Sequence, residues 1–328
     1  MYSSYDASSV VSASAAAKTI GAAAVATKGT ANKVELITSY EEGKSVFGED
    51  ASGVYGMSTL LRFLFANGAG AVKAVAVGKD ESEEKDYASA FAALSDEEDV
   101  GVMVCDSAAQ SVHLLLKTAA EDASAARRER IAVIGGSEET VAQMVNRAKA
   151  VNSERVVLVG PDIASDDGGT MSAVFAAAAV AAVIAGNTDP SVPINGAELT
   201  LFGAAGKRLS DNEIDQLVRG GVTPIGGAAD TTWRELTTIL IVDEVIPTIR
   251  SALRTRFARS KNTAQSRGAI RSQVVLELEE MKSREIVDSY GEVLVSALKS
   301  DPTVCLVEFS FTVAHGLNRI YLTAHITV

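Results

Sequence analysis

Cysteine is scarce in this chain: Cys105 and Cys305 are the two among 328 residues. Each sits inside an apolar run (Val-Met-Val-Cys and Val-Cys-Leu-Val), the setting of buried free thiols, so a disulfide framework is not expected. Histidine is nearly as rare, and His113, His315 and His325 fall in no metal-ligand spacing and have no cysteine pair beside them. A Gly-x-Ser-x-Gly nucleophile elbow is missing. So is a phosphate-binding loop: Gly203-Ala204-Ala205-Gly206-Lys207 is too short and lacks the following Ser or Thr, and Gly68-Ala69-Gly70 has no third glycine in register. The sequence therefore assigns no catalytic, cofactor-binding or metal residues. Positive charge is in deficit, with 42 acidic against 30 basic residues and a net charge of -12, which argues against a general nucleic-acid binder. Long hydrophobic runs are also lacking. The longest, residues 173 to 185, stops at Gly186, short of the roughly 20 residues a membrane span needs, and reads as a buried alanine-rich helix. Although Ala13-Ser14-Ala15 has the look of a cleavage site, the N-terminus carries neither the basic region nor the apolar stretch of a secretory leader. The expectation is a protein folded in the cytoplasm, with no membrane partner.

What is present is enough for a sizeable core. A chain of 328 residues that is 47% hydrophobic buries roughly 75% of its unfolded surface and forms about two domains. The first 18 residues are rich in Ser and Ala, with Val10 and Val11 as an apolar pair and no helical period. They read as an extended arm, or alternatively as a tail without structure. From residue 33 short apolar runs alternate with helical patterns, the signature of an α/β layer. Strands are expected at Val34 to Thr38, Val72 to Val77, Val100 to Cys105, Ile131 to Ile134 and Arg155 to Val159, and helices at Ser58 to Ala66 and Ser137 to Ala150. Residues 79 to 99 hold nine acids against two lysines around Tyr87, Phe91 and Leu94, which reads as a solvated helix and loop. Gly135-Gly136-Ser137 fits a tight strand-to-helix turn, or an anion cradle at a helix start.

After Trp233 the pattern changes. Leu236, Ile239, Val242, Ile246, Ile249, Leu253 and Phe257 recur at helical spacing, with Pro247 expected to kink the helix or restart it. A second helix is expected over Thr263 to Lys282. Between Arg250 and Arg271 the basic residues Arg250, Arg254, Arg256, Arg259, Lys261, Arg267 and Arg271 stand without an acidic one, and Arg250, Arg254 and Lys261 are expected on one helical face. That face is either solvated, with cations favouring the helix C-terminus, or a dock for an acidic partner. At the end, Cys305, Val307, Phe309, Phe311 and Val313 alternate with polar residues. After a turn at His315 to Asn318, Ile320, Leu322, Ala324, Ile326 and Val328 alternate again. Such a strand leaves its backbone unpaired unless it closes an internal hairpin or adds to another subunit.

Several segments resemble the contractile tail sheath family, closest to the short sheaths of Gram-positive phages and tailocins (R-type bacteriocins). Lys33 to Glu42 followed by Val46-Phe47-Gly48 is similar to that family's strand, "TS" turn and "FG" segment. Leu60 to Gly68 is similar to its "FFxNGG" helix end, with Ala69 in place of the second glycine. Ser172 to Gly186 before Asn187-Thr188-Asp189-Pro190 resembles the helix preceding its Asp-containing loop. Gly220 to Thr223 resembles its "GVN" turn with Thr for Asn, and Tyr321 to Val328 its final strand. The order and spacing of these segments carry the likeness.

The resemblance implies an α/β protein with an outer sheet-and-helix domain (19–230), a C-terminal tube-facing α+β domain (231–318), and arms at 1–18 and 319–328 exchanged between subunits. It implies a structural subunit, not an enzyme, without a cofactor. Subunits would stack as rings, expected to be hexameric, around a tail tube and contract to drive it through a cell envelope. Baseplate and tail-terminator proteins would be partners, and nucleic acid and membrane would not. Assembly in the bacterial cytoplasm into a virion tail or tailocin particle, with release by lysis, is expected. Arg250, Arg254, Arg256, Arg259 and Lys261 would face the tube. Val10, Val11, Ile320, Leu322, Ala324, Ile326 and Val328 would lie in the arms. Two other readings stay open: a soluble α/β enzyme binding a nucleotide at Gly135 or Gly160, and a static surface-array protein.

Overall fold

A computed structural model describes residues 18–51, 53–78, 82–164, 170–192, 194, 197–201, 209–224, 233–258, 260–298 and 301–314. Its centre is a seven-stranded sheet built from β1 (Thr19–Ala24), β2 (Val34–Ile37), β3 (Val72–Ala76), β4 (Val100–Cys105), β5 (Ile131–Gly135), β6 (Val156–Gly160) and β9 (Val222–Pro224), in the order β2-β3-β1-β4-β5-β6-β9. β2 runs antiparallel to β3, and the other neighbours pair in parallel. Parallel strands are buried on both faces, which is why their sequences are near-continuous runs of Val, Ile and Ala.

Side chains divide by the two-residue period of a strand. Ile20, Ala22, Val102, Val104, Ile131 and Val133 face one side, together with α1 (Tyr40–Phe47), α2 (Met57–Ala66) and α6 (Ala173–Gly186). Ala23, Met103, Cys105, Ala132, Ile134 and Leu158 face the other, beneath α3 (Glu83–Ser95), α4 (Gln110–Ala125), α5 (Val141–Val151) and α7 (Asp211–Arg219). The small antiparallel pair β7 (Ile163–Ala164) and β8 (Thr170–Met171) leads into α6.

The alanine run is the buried helix expected of it. From Ala173 to Ala185 every residue of α6 except Val183 is buried, and its small side chains let it lie close on the sheet. The closest approach is at Gly135, where a Cβ would come within 2.3 Å of the Ala173 carbonyl carbon. α5 begins at Val141, four residues later than the apolar spacing suggests, because Thr140 and Gln143 form a capping box there. α3 buries Tyr87, Ala90, Phe91 and Leu94 and leaves its acids outside.

β1 is a strand that its sequence disguises. Thr-Ile-Gly-Ala-Ala-Ala has little β-propensity, yet it lies in the middle of the sheet. Gly21 is needed there, since a Cβ would meet Val100 at 2.9 Å.

The C-terminal part begins with α8 (Trp233–Phe257), which runs through Pro247 as one helix, and returns along α9 (Ala264–Ser283), N-capped by Thr263. α8 serves two cores. Leu236 and Leu240 join the α6 side of the sheet, while Ile241, Val245 and Ile249 pack with Val274, Leu278 and Met281 of α9. The buried stripe is therefore rotated from the expected one. Beyond α9 the strands β10 (Val287–Tyr290), β11 (Leu294–Leu298), β12 (Asp301–Glu308) and β13 (Phe311–Val313) pair antiparallel as β10 with β13 and β11 with β12. Taken end to end they form one two-stranded ribbon, kinked where Gly291 donates its amide to the Ser310 carbonyl at 2.8 Å. The single strand expected over 305 to 313 is thus two strands. Cys105 is buried as expected, whereas Cys305 is half-buried.

Candidate functional site

Doubly wound sheets ordinarily bind ligands at the carboxyl ends of their strands, where the chain order reverses. Here that point lies between β1 and β4, and the chain's own carboxylates fill it. Asp106 accepts the Val25 amide at 2.9 Å and the Tyr87 hydroxyl. Burial pushes its carboxyl up to about 6 against both of these bonds. Asp50 accepts the amides of Gly56 and Thr59 at 3.0 and 2.8 Å and the Thr59 hydroxyl at 2.7 Å.

The two glycines offered as nucleotide sites are engaged in the same way. Asp162 accepts the first amide of α6, from Ala173, at 2.9 Å and the Glu138 amide at 2.6 Å, while the Ser172 hydroxyl donates to the Gly136 carbonyl at 2.7 Å. These three donors are thereby occupied within the chain, and Gly135 serves close helix packing. At Gly160 a Cβ would lie 2.5 Å from the Met144 sulfur, so this glycine also makes room for packing. Beside them His113 is buried, with Nε2 on the Ser107 carbonyl at 2.8 Å and Nδ1 facing Arg147 at 3.0 Å. Burial holds its pKa down to about 4, the Arg147 charge adding to the effect and the Ser107 carbonyl opposing it. Arg147 in turn pairs with Glu139 at 2.8 Å.

The opposite, amino end of the sheet carries α8. Arg155, just before β6, pairs with Asp243 at 2.5 Å, and Glu129, just before β5, with Arg250 at 3.3 Å. Arg250 of the expected basic face is therefore bound within the subunit. Arg256 donates to Gln273 of α9, and Arg267 to Asn262 at 2.9 Å. Lys261 lies beyond the end of α8, in the connection to α9, so it does not share a helical face with Arg250 and Arg254. Arg254, Arg256 and Lys261 are exposed at the tip of the α8–α9 hairpin, and Arg259 lies outside the described residues. The basic residues thus gather at a helical turn rather than along a stripe.

A second surface lies on the ribbon. β11 and β12 alternate between half-buried and exposed positions, with Val295, Ala297, Cys305 and Val307 on the inner side. Leu294, Leu298, Val304 and Leu306 stand outward, 51%, 38%, 41% and 40% exposed. A two-stranded ribbon is marginal by itself, and an apolar outer face with free edges is a template for added strands. The large sheet is guarded at both ends: β2 carries the Lys33–Glu35 ion pair at 2.6 Å, and β9 is three residues long and ends in Pro224. The sequence signal for β11 was weak: Leu294-Val295-Ser296-Ala297-Leu298 is a short, mostly apolar run without a polar/apolar alternation. The expected arm residues Val10, Val11, Ile320, Leu322, Ala324, Ile326 and Val328 lie outside the described residues, as do His315 and His325.

Comparison with known proteins gives consistent matches. The model of the phage tail sheath protein central domain matches residues 80–234, and that of the phage tail sheath C-terminal domain matches residues 228–327. A tail sheath protein of Bacillus phage SP01 is 26% identical over 221 residues, covering 61% of this chain and 38% of that protein. The chain thus spans well under half the length of this curated relative. Among solved structures, the helical sheath of the anti-feeding prophage in its contracted state superposes with a TM-score of 0.74 at 15% identity, covering 99% and 98% of the two chains. The sheath tail protein of Listeria innocua gives 0.69 at 12% identity, covering 94% of each.

Proposed function

The chain belongs to the phage tail sheath protein family, and from that premise we propose that it is the subunit of a contractile sheath. The family is one of structural subunits, which sets the enzyme reading aside. In this reading subunits stack as rings around a tail tube, and contraction drives the tube through a target envelope. The partners are further copies of the chain, the tube protein, and the baseplate and terminator that bound the sheath, within a phage tail or tailocin particle.

One observation supports assembly by strand addition most directly: no further strand among the described residues pairs with the ribbon of β10 to β13, where Asn262 alone donates to the Val304 carbonyl at 3.3 Å, and four outward aliphatic side chains stand exposed on it. Residues 1–18 and 319–328 serve as the arms that add to it, linking outer domains (19–230) and C-terminal domains (231–318) of neighbouring subunits. The exposed basic tip at Arg254, Arg256 and Lys261 then faces an acidic tube surface, with Arg250 bracing α8 from behind.

Deleting residues 319–328 tests the arm assignment. Soluble subunits that no longer polymerise are expected, and normal sheaths from the truncated chain would overturn it. Reversing Arg254 and Lys261 to Glu is expected to abolish assembly on the tube while leaving the fold intact. Unimpaired tube-templated assembly would show that tip to be solvated. A static array would share the polymerisation but would show one fixed helical rise rather than two states.

A further inference from the structure

The connection between α8 and α9 meets the ribbon through one polar side chain. Asn262 donates from Nδ2 to the Val304 carbonyl of β12 at 3.3 Å, and its Oδ1 accepts from Arg267 at 2.9 Å. Arginine can only donate, so the Arg267 bond turns the amide oxygen towards α9 and leaves the amide nitrogen to face β12. Thr263, next in the chain, fixes the start of α9 by accepting the Ser266 amide at 3.2 Å. On the ribbon the ladder is irregular between Ala297 and Leu298: Cys305 pairs with Ala297 and Asp301 with Leu298, so Val304 has no residue opposite it on β11. Its carbonyl is met from outside the ribbon instead. Alternate residues of an antiparallel strand turn both amide and carbonyl to the same side. Val304 and Leu306 therefore present theirs along the outer edge of β12, and their side chains stand 41% and 40% exposed.

We propose that Asn262 caps the β12 edge of the free subunit and gives it up when a strand from a second copy adds there. An added strand needs the Val304 carbonyl for its own amide, so Asn262 and the strand compete for one acceptor. The chain itself offers a fitting occupant, because Ile320, Leu322, Ala324 and Ile326 recur at the two-residue period that sets them beside Val304 and Leu306. Displacing Asn262 also loosens its hold on the hairpin tip, where Arg254, Arg256 and Lys261 are exposed. Linkage then runs both ways: an acidic surface that draws the tip from β12 favours strand addition, and strand addition frees the tip to meet such a surface. The competition rests on the reading of the ribbon as the site of strand addition, whereas the Asn262 contact belongs to the single subunit.

The test is binding of a labelled synthetic peptide of residues 319–328 to the full-length soluble subunit, followed by fluorescence anisotropy. Asn262→Asp keeps the acceptor for Arg267 and removes the donor to Val304. The peptide is expected to bind this variant about 5-fold more tightly than wild type, the worth of one hydrogen bond, at unchanged Tm. Poly-L-glutamate, standing in for an acidic surface, is expected to tighten binding to wild type and to leave the variant as it was. No response of wild type to the polymer would remove the linkage to the tip. Equal affinity for the two proteins would overturn the inference, as would a peptide that binds neither, the result if the chain's own residues 319–328 cover the edge. Should Asn262→Asp fail to fold, Arg267→Met, which releases the amide to turn, decides it in the same assay. Wild-type protein that forms no cylinders would sink the sheath reading and leave the peptide result standing, whereas cylinders alongside equal peptide affinities would keep that reading and remove the cap.

Discussion

Replacing Leu294 and Leu306 with serine separates assembly from folding. The four outward side chains of the β11–β12 hairpin keep between 38% and 51% of their surface exposed in the subunit. Full burial of such a side chain contributes about 1.5–3 kcal/mol, so covering what remains on all four contributes about 3–5 kcal/mol per contact before ordering costs. The two substitutions remove about half of this, roughly 2 kcal/mol, which is about 30-fold in an association constant. The fold should barely register them, since exposed substitutions typically change stability by no more than about 0.5 kcal/mol each. The assay is sedimentation over a concentration series, read as the concentration above which cylinders form, beside a thermal melt of the subunit. A threshold raised about 30-fold at unchanged Tm is expected. An unchanged threshold at unchanged Tm would refute the reasoning, because the face would then be in water in the assembled state.

Gly135→Ala should lower Tm by several degrees, because the new Cβ meets the Ala173 and Val174 backbone at 2.3 to 2.5 Å and α6 must lift to admit it, at a cost of about 1–3 kcal/mol. An unchanged Tm would contradict the packing described. The pH dependence carries an opposed pair. His113 is held near 4 against its ordinary 6.5, so its contribution is present above 6.5 and is lost as pH falls towards 4. Asp106 is raised to about 6 from 3.8, so its contribution is present below 3.8 and is lost as pH rises through about 6. Each shift amounts to about 3 kcal/mol, and they nearly cancel. Urea denaturation should therefore find wild-type stability nearly flat between pH 6.5 and 4 in these contributions, while Asp106→Asn loses about 3 kcal/mol over that window. A variant as flat as wild type would contradict the burial of His113.

Much of the fold was legible because its strands and helices carry their own signals. β4 to β6 are unbroken apolar runs and β3 is broken only by Lys73, α6 is apolar all round, and α9 starts at a capping threonine. β1 was not legible, because alanine and glycine read as helix or coil until the neighbouring strands impose pairing on both sides. α4 was missed although Val112, Leu116 and Ala120 repeat at helical spacing, since His113 and the polar residues between them mask the stripe. The assembly surfaces were legible only in part. A count of basic residues finds the stretch from 250 to 271, but not that Arg250 is tied to Glu129, 121 residues away in sequence. Alternation marked β12, whereas the outward side of the ribbon depends on which face meets α9, a tertiary fact.

The most direct test of the sheath assignment is negative-stain electron microscopy of the purified protein at high concentration, with and without its tube protein. Hollow cylinders of stacked rings are predicted. Dispersed monomers in both samples would contradict the account.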